Sequence, residues 1–384
     1  MIIDNAGTYT LRYTATDDCG KTTTVDRELA VQDPIYGVYW DGTENPQWTR
    51  IGKSALLAEP VSQYSDGNGG WIGGSSPFDN IMPWSGMQIV EDAEAGTLVS
   101  IPKFYYKWTR DGDSMQLEIS EKPANGFLTS PAHADRGDGV GERDVVYVSR
   151  YHCADTNYKS VTGVQPKVSV SRKNFRQNIH ALGTDVWQYD FAMYWTIAML
   201  YLVEFADWNS QNRIGNGGYD STHKNSGYTD TMPYHTGTIA DARTTPAPIQ
   251  YRHIEGLWSG PGTFCDGIYF NGTSVYGINK PSDFSDTANG TLIGTRPTSN
   301  GGTRSFNNPT ATGYEYALYP STIGTFQYDK YTCDECSNNS NGVSLFVGNS
   351  GTTVEYGLFY LSSVLRETEA YFSIGSRLMK LPNA

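Results

Sequence analysis

The stretch 189-YDFAMYWTIAMLYLVEFADW-208 decides the fold. Phe191, Trp195, Ala198, Met199, Leu202 and Phe205 recur at helical spacing, with strong helix formers between them. Tyr194, Ile197, Leu200 and Tyr201 widen that face, so this helix is expected to be covered on most sides, with a sheet as the natural cover. Asn209, Gly215, Gly217 and Gly218 read as its stop. Upstream, Ser171 reads as the cap of a shorter helix through Asn174, Phe175, Asn178 and Ile179, with Gly183 just beyond it.

Around these helices the text is strand-like. TLVSIPKFYYKW (97–108) reads as one strand and SMQLEIS (114–120) as the next, with Asp111-Gly112 at the hairpin turn; DVVYVSRY (144–151) makes a third. Between residues 35 and 98, Gly67, Gly69, Gly70, Gly73 and Gly74 surround Trp71, which reads as an ordered loop pinned by its aromatics. After residue 215 the helical pattern stops. Short apolar runs (IQYRHIEGLW, CDGIYF, SVYGI, YEYALYP, SLFVG, VEYGLFYL, FSIGSRLMKL) alternate with polar stretches that keep returning to aromatics, as structured surface loops on a frame do. At the other end, GTYTLRYTATDDCG and KTTTVDRELAV alternate apolar and polar around Asp17, Asp18 and Gly20, predicting a β-hairpin that must pack or pair with something. The breaks divide the chain into an attachment hairpin (1–33), a β-rich, loop-rich region packed on the main domain (34–140), and a main domain (141–384).

The 384 residues carry 27 Tyr, 9 Trp and 14 Phe beside 41 Gly, which suits either a strand-rich core or a recognition surface. A net charge of -13 with no Lys/Arg run argues against attachment to nucleic acid or anionic bilayers. There is no apolar run of spanning length, and MIIDNAGTYTLRYT lacks the basic flank and apolar core of a signal peptide. Five cysteines make an odd count; Cys333-Asp334-Glu335-Cys336 reads as a local loop disulfide or two free thiols before a zinc site.

Catalytic signatures are sparse. The six histidines, His133, His152, His180, His223, His235 and His253, form no HExxH, although His223 and His235 sit near Asp220 and Asp230. No nucleophile elbow or phosphate-cradling loop occurs. Two carboxylate pairs, Glu204 with Asp207 and Glu255 with Asp266, keep a glycan-cleaving reading open, the alternative for the first pair being bonds to neighbours or to Arg213. Asp220, Asp230, Asp241, Asp283 and Asp286 are loop acids of the kind that hold calcium, but none falls in an EF-hand pattern. No cofactor is expected, and the chain reads as a non-enzyme.

A string of segments in fixed order carries a resemblance: SSPFDNIMPWSGM, LVSIPKFYYKW, VYVSRYHC, KVSVSRKNFR, IAMLYLVEFADWNSQ, GYTDTMPYHTGT, YRHIEGLWSGPGTFCDGIYF, VEYGLFYLSSV and FSIGSRLMKLP. Over about residues 75–384 it resembles tail-associated proteins of phages and prophages whose C-terminal domain is similar to the C-type lectin fold, shared with reverse-transcriptase-diversified receptor-binding proteins and with sulfatase-modifying enzymes. Residues 7–31 are similar to the last strands of immunoglobulin-like repeats. The resemblance implies an α+β fold, with two helices and a twisted antiparallel sheet. In that frame YRHIEGLW enters the central sheet, FSIGSRLMKLP is the closing strand, and Trp195, Trp258 and Arg377 are structural. Exposed loops between Asn338 and Tyr371 would meet a bacterial surface glycan or protein through Phe346, Asn349, Tyr356, Phe359, Tyr360 and Tyr371. The implied partners are that receptor and other virion tail proteins, in a homo-oligomer such as a trimer, made in the host cytoplasm and displayed on the virion. A structural decoration or tail-spacer role is the alternative. The Glu-Pro-Asn and Trp-Asn-Asp triplets of calcium-dependent lectins are missing, since only Trp208-Asn209-Ser210 comes near, so calcium-held sugar is not expected; nor is the cysteine chemistry of sulfatase-modifying enzymes.

Overall fold

The computed structural model describes residues 7–31, 34–217, 224–239, 246–349 and 354–383. Gly218, Asp220, His223 and Asp241 lie outside them. The architecture is α+β. Helix α1, Arg172–His180, starts at Ser171, whose hydroxyl accepts from the Asn174 amide, and it buries Phe175 and Ile179. Helix α2, Phe191–Phe205, is the apolar stretch, and every one of its side chains is buried. Its cap is Asp190, which accepts from the Met193 amide at 2.8 Å and pairs with the buried Arg136 at 2.5 Å. Ala206, left-handed at φ 52°, ends it ahead of the glycines expected to do so. That conformation costs about 1 kcal/mol without glycine. It is held by the Trp48 amide, which donates to the Ala206 carbonyl at 2.8 Å. A one-turn helix α3, Ser210–Arg213, follows.

Among the described residues, four sheets and a hairpin accompany the helices. Two five-stranded antiparallel sheets are ordered 128–129, 105–111, 114–120, 35–40, 49–52 and 186–188, 378–380, 145–149, 96–102, 89–92. A small mixed sheet joins 254–255, 249–251, 237–238, 63–65 and 71–72. The largest, of nine strands, is built on Gly262–Asn271, Ser344–Val347 and Leu361–Leu365. Residues 34–140 and 141–384 contribute to one hydrophobic core that runs from Val38 to Leu381 around α2.

Several strand expectations are corrected. TLVSIPKFYYKW is two strands in two sheets, Gly96–Pro102 and Tyr105–Asp111, because Pro102 has no N–H to continue a ladder. FSIGSRLMKLP likewise splits at Arg377 into Ile374–Ser376 and Leu378–Lys380, in different sheets. YRHIEGLW contributes to a hairpin in the small mixed sheet, turning on Arg252 and His253 at φ 43° and 71°, and does not enter the largest sheet. YEYALYP and VEYGLFYL are turns up to Pro320 and Leu361, where strands begin. The hairpin Gly7–Thr16/Thr22–Val31 is in register from Gly7 opposite Val31 to Thr16 opposite Thr22. Asp17 closes its turn by accepting the Cys19 and Lys21 amides at 3.0 and 2.8 Å. Tyr13 and Val25 on it are 56% and 60% exposed.

Burying α2 on all sides brings about 2 kcal/mol per large apolar side chain, but leaves each polar group needing a partner inside. The indole of Trp195 donates to the Leu318 carbonyl at 3.1 Å, the Tyr194 hydroxyl to Leu358 at 3.1 Å, and Thr196 to Ala192 at 2.8 Å. The one charge on the helix, Glu204, is 0% exposed. Arg252 donates to both of its oxygens, at 2.7 and 2.6 Å, with the Ser76 and Tyr251 hydroxyls donating at 2.8 and 3.0 Å. Removing one member of such a pair strands the other charge. Glu204→Gln or Arg252→Met alone is therefore expected to lower the unfolding free energy by about 3–5 kcal/mol, with the double variant more stable than either, as read by urea denaturation.

Candidate functional site

The antiparallel strands Ser344–Val347 and Leu361–Leu365 run through the middle of the largest sheet, and the chain then loops through 366–373 before Ile374–Ser376 pairs in parallel with Gly262–Asn271. Beside this loop lies a cleft of about 430 Å³ whose lining includes Asn339, Phe346, Arg366, Glu369, Tyr371 and Ser373. Its loop is tightly tied. Glu369 accepts from the Arg366 amide at 2.7 Å and returns its own amide to the Arg366 carbonyl at 3.2 Å. The Tyr371 carbonyl accepts from Ser169 at 3.0 Å and Ile374 at 3.1 Å, and the Ser373 carbonyl from Gly262 at 2.9 Å. Tyr371 thus has a pinned backbone under a ring that is 45% exposed. The Arg366 side chain is exposed and makes no ion pair among the described residues. A planar ring, a free guanidinium, an amide and a hydroxyl around one cleft can stack on an apolar face and hydrogen-bond a polar one.

The six residues proposed from sequence divide. Phe346 and Tyr371 line this cleft. Asn349 and Tyr356 are half-buried, Tyr356 standing edge-on to Tyr360 at 4.7 Å. Phe346, Phe359 and Tyr360 are buried, at 5%, 3% and 4% exposure, which corrects the expectation that they stand out on loops. Phe346 lies in the strand Ser344–Val347 opposite Phe264, and for Phe359 and Tyr360 the physical reason is Asp334. Its carboxylate accepts from the Gly357 amide at 2.6 Å and the Phe359 amide at 2.8 Å, while the Ser210 hydroxyl accepts from Leu358 at 2.9 Å. These bonds draw the segment onto the core, where Phe359 meets Trp208 edge-on at 4.7 Å. Arg366, Glu369, Asn339 and Ser373 were missed, since nothing in their sequence context marks them as neighbours.

The other proposed positions are interior. Trp195 and Trp258 are buried, the Trp258 indole donating to the Gly215 carbonyl at 3.1 Å. Arg377 is fully buried and donates to the carbonyls of Ser149, Arg150 and Glu255. Burial pushes its guanidinium down to about 10. The paired carboxylates are each engaged elsewhere: Glu204 with Arg252, Asp207 with Arg213 at 2.8 Å, Asp266 with Arg176 at 2.5 Å, and Glu255 with the Gly227 and Thr229 amides at 2.9 and 3.0 Å. Asp230 and Asp286 pair with Arg150 and Arg172. His235 bonds Asp79 at 2.8 Å, not Asp230. Burial pushes the Asp79 carboxyl up, but the hydrogen bonds of His235 and of the Tyr234 hydroxyl, with Arg252 nearby, outweigh it and bring the carboxyl down to about 2. Among the described residues no three His, Cys, Asp or Glu side chains are grouped as a metal site, and no helix is long and apolar enough to cross a membrane. All five cysteines, Cys333 and Cys336 included, are free thiols. No protein-family model matches this chain, and no curated protein is significantly similar to it.

Two outcomes follow from this geometry. Phe359→Ala is expected to cost about 3–5 kcal/mol of stability, as core aromatics do, whereas Tyr371→Ala stays within about 0.5 kcal/mol; chemical denaturation separates them. The second concerns pH. Burial pushes the Asp334 carboxyl up to about 8, against the partial relief of its two amide bonds. A carboxyl raised in the folded state binds a proton there that the unfolded chain has released, so stability falls as pH rises toward 8. Burial holds His133 and His253 down, to about 4 and about 3, so their contribution rises with pH and is complete once the unfolded value of 6.5 is passed. The carboxyl is therefore seen best from neutrality to pH 8. There the urea midpoint of the parent chain should decline, and that of Asp334→Asn, lower overall, should decline less.

Proposed function

We propose that the chain is a recognition protein of a phage or prophage tail that binds a bacterial surface glycan or protein through the cleft beside Tyr371. The observation that carries this reading is the exposed Tyr371 on a pinned backbone, lining one cleft with Arg366, whose side chain makes no ion pair among the described residues. Rigid aromatics and arginines contribute contact area at small ordering cost, which is what a receptor-binding surface requires. Support for a C-type lectin-like domain comes from the ordered motifs over residues 75–384 and from two features of region 141–384. It contains helices α1 and α2, and its strands Val145–Ser149 and Leu378–Lys380 are paired, so the region opens and closes on one ladder. In this reading the hairpin 7–31 attaches the protein to other virion proteins, and a homo-oligomer such as a trimer multiplies one shallow site into useful avidity.

The contact set is accordingly Tyr371, Arg366, Glu369 and Asn339, with Phe346 as the floor. Tyr371→Ala and Arg366→Ala are each expected to weaken binding to whole bacterial cells and to arrayed surface polysaccharides by about tenfold or more, with an unchanged melting temperature. Undiminished binding by both variants overturns the assignment.

A further inference from the structure

A second cleft, of about 330 Å³, shares no lining residue with the first. It lies between the strand Tyr105–Asp111 with segment 127–142 on one side and residues 279 and 312–316 on the other. Its walls include Tyr106, Phe127 and Tyr316. Three carboxylates, Asp135, Glu142 and Glu315, line it with a single cation, Arg136. Arg136 is 2% exposed: its Nε donates to the Asn279 carbonyl at 2.7 Å and its Nη2 to Asp190 at 2.5 Å, but its Nη1 has no partner among the described residues.

The carboxylates keep acceptor capacity. Asp135 takes one bond from the Gly137 amide at 2.8 Å and Glu315 one from Gly313 at 2.9 Å, and neither meets a cation among the described residues. Glu142 takes the Thr129 hydroxyl at 2.7 Å and lies 3.7 Å from Lys103. Asp190 already neutralises Arg136, so the cleft as a whole is negative and aromatic, with one buried donor. Aromatic faces attract both the C–H surface of a sugar ring and an ammonium group, and surplus carboxylates favour the latter. The cleft lies at the small end of ligand sites.

We propose that this cleft is a binding site for an amino sugar with a free amine, its ammonium group among Asp135, Glu142 and Glu315 and a ring oxygen or hydroxyl facing Arg136. Replacing Arg136 would also unpair the Asp190 cap of α2, so the test uses Asp135 and Glu315, the two carboxylates that meet no cation among the described residues. In calorimetric titration of the full chain, glucosamine is expected to bind about tenfold or more tightly than glucose or N-acetylglucosamine. Asp135→Asn/Glu315→Gln should lose about that factor at an unchanged melting temperature, and Tyr371→Ala should leave glucosamine binding intact, which separates this site from the cleft proposed for receptor recognition. Tighter binding of a chitosan oligosaccharide than of glucosamine would identify the ligand as a polymer-borne residue, and equal binding as the free sugar; either supports the site. No glucosamine binding at millimolar ligand, equal binding of glucose, or full binding by the double variant overturns it.

Discussion

One ion pair makes the fold's central device workable. A helix buried on every side is stable only if it carries no unanswered charge, and α2 carries Glu204. Arg252 answers it from a two-residue turn whose residues both hold left-handed backbone, a conformation that non-glycine residues adopt only under constraint. The same guanidinium reaches Asp79 at 3.2 Å and the Trp84 carbonyl at 3.1 Å. One side chain therefore ties the helix, the segment around 76–86 and the small mixed sheet together. Desolvated pairs of this kind add little net stability compared with apolar packing, but they make alternative registers costly.

A second charged network sits at the other end of α2. Arg172 and Arg176 of α1 hold Asp286 and Asp266, the latter on the strand Gly262–Asn271, and the Asp266 amide donates to the Tyr189 carbonyl beside Asp190, the α2 cap that pairs with Arg136. Because that strand pairs with both Ser344–Val347 and Ile374–Ser376, the loop beneath Tyr371 is referenced to the helical core through the sheet. Arg136, paired with the Asp190 cap of α2, also lines the second cleft, which is thereby tied to the same helix.

The helices were legible because an apolar surface repeating every three to four residues has few other uses, and Ser171 is a side chain that caps one. The strands were legible as apolar runs but not in their partners. Pro102 and Arg377 each divide what reads as one run between two sheets, a decision made by distant ladders. Phe359 and Tyr360 were misplaced for a definite reason. Glycine and polar residues around a ring suggest a loop tip, but Asp334 supplies the missing hydrogen bonds from within, so Phe359 can be drawn inward. Arg366, Glu369, Asp135 and Glu315 carried no signal at all, since surface charges in turns look alike until the fold makes some of them neighbours.

The strand Leu378–Lys380 lies between Val145–Ser149 and Val186–Gln188, both far earlier in the chain. During synthesis this sheet cannot be completed until residue 380 has emerged from the ribosome. A polypeptide released early would keep a gap where that strand belongs, and exposed ladder edges are what quality-control chaperones and proteases recognise. The arrangement makes completion of this sheet wait for one of the last strands in the described chain.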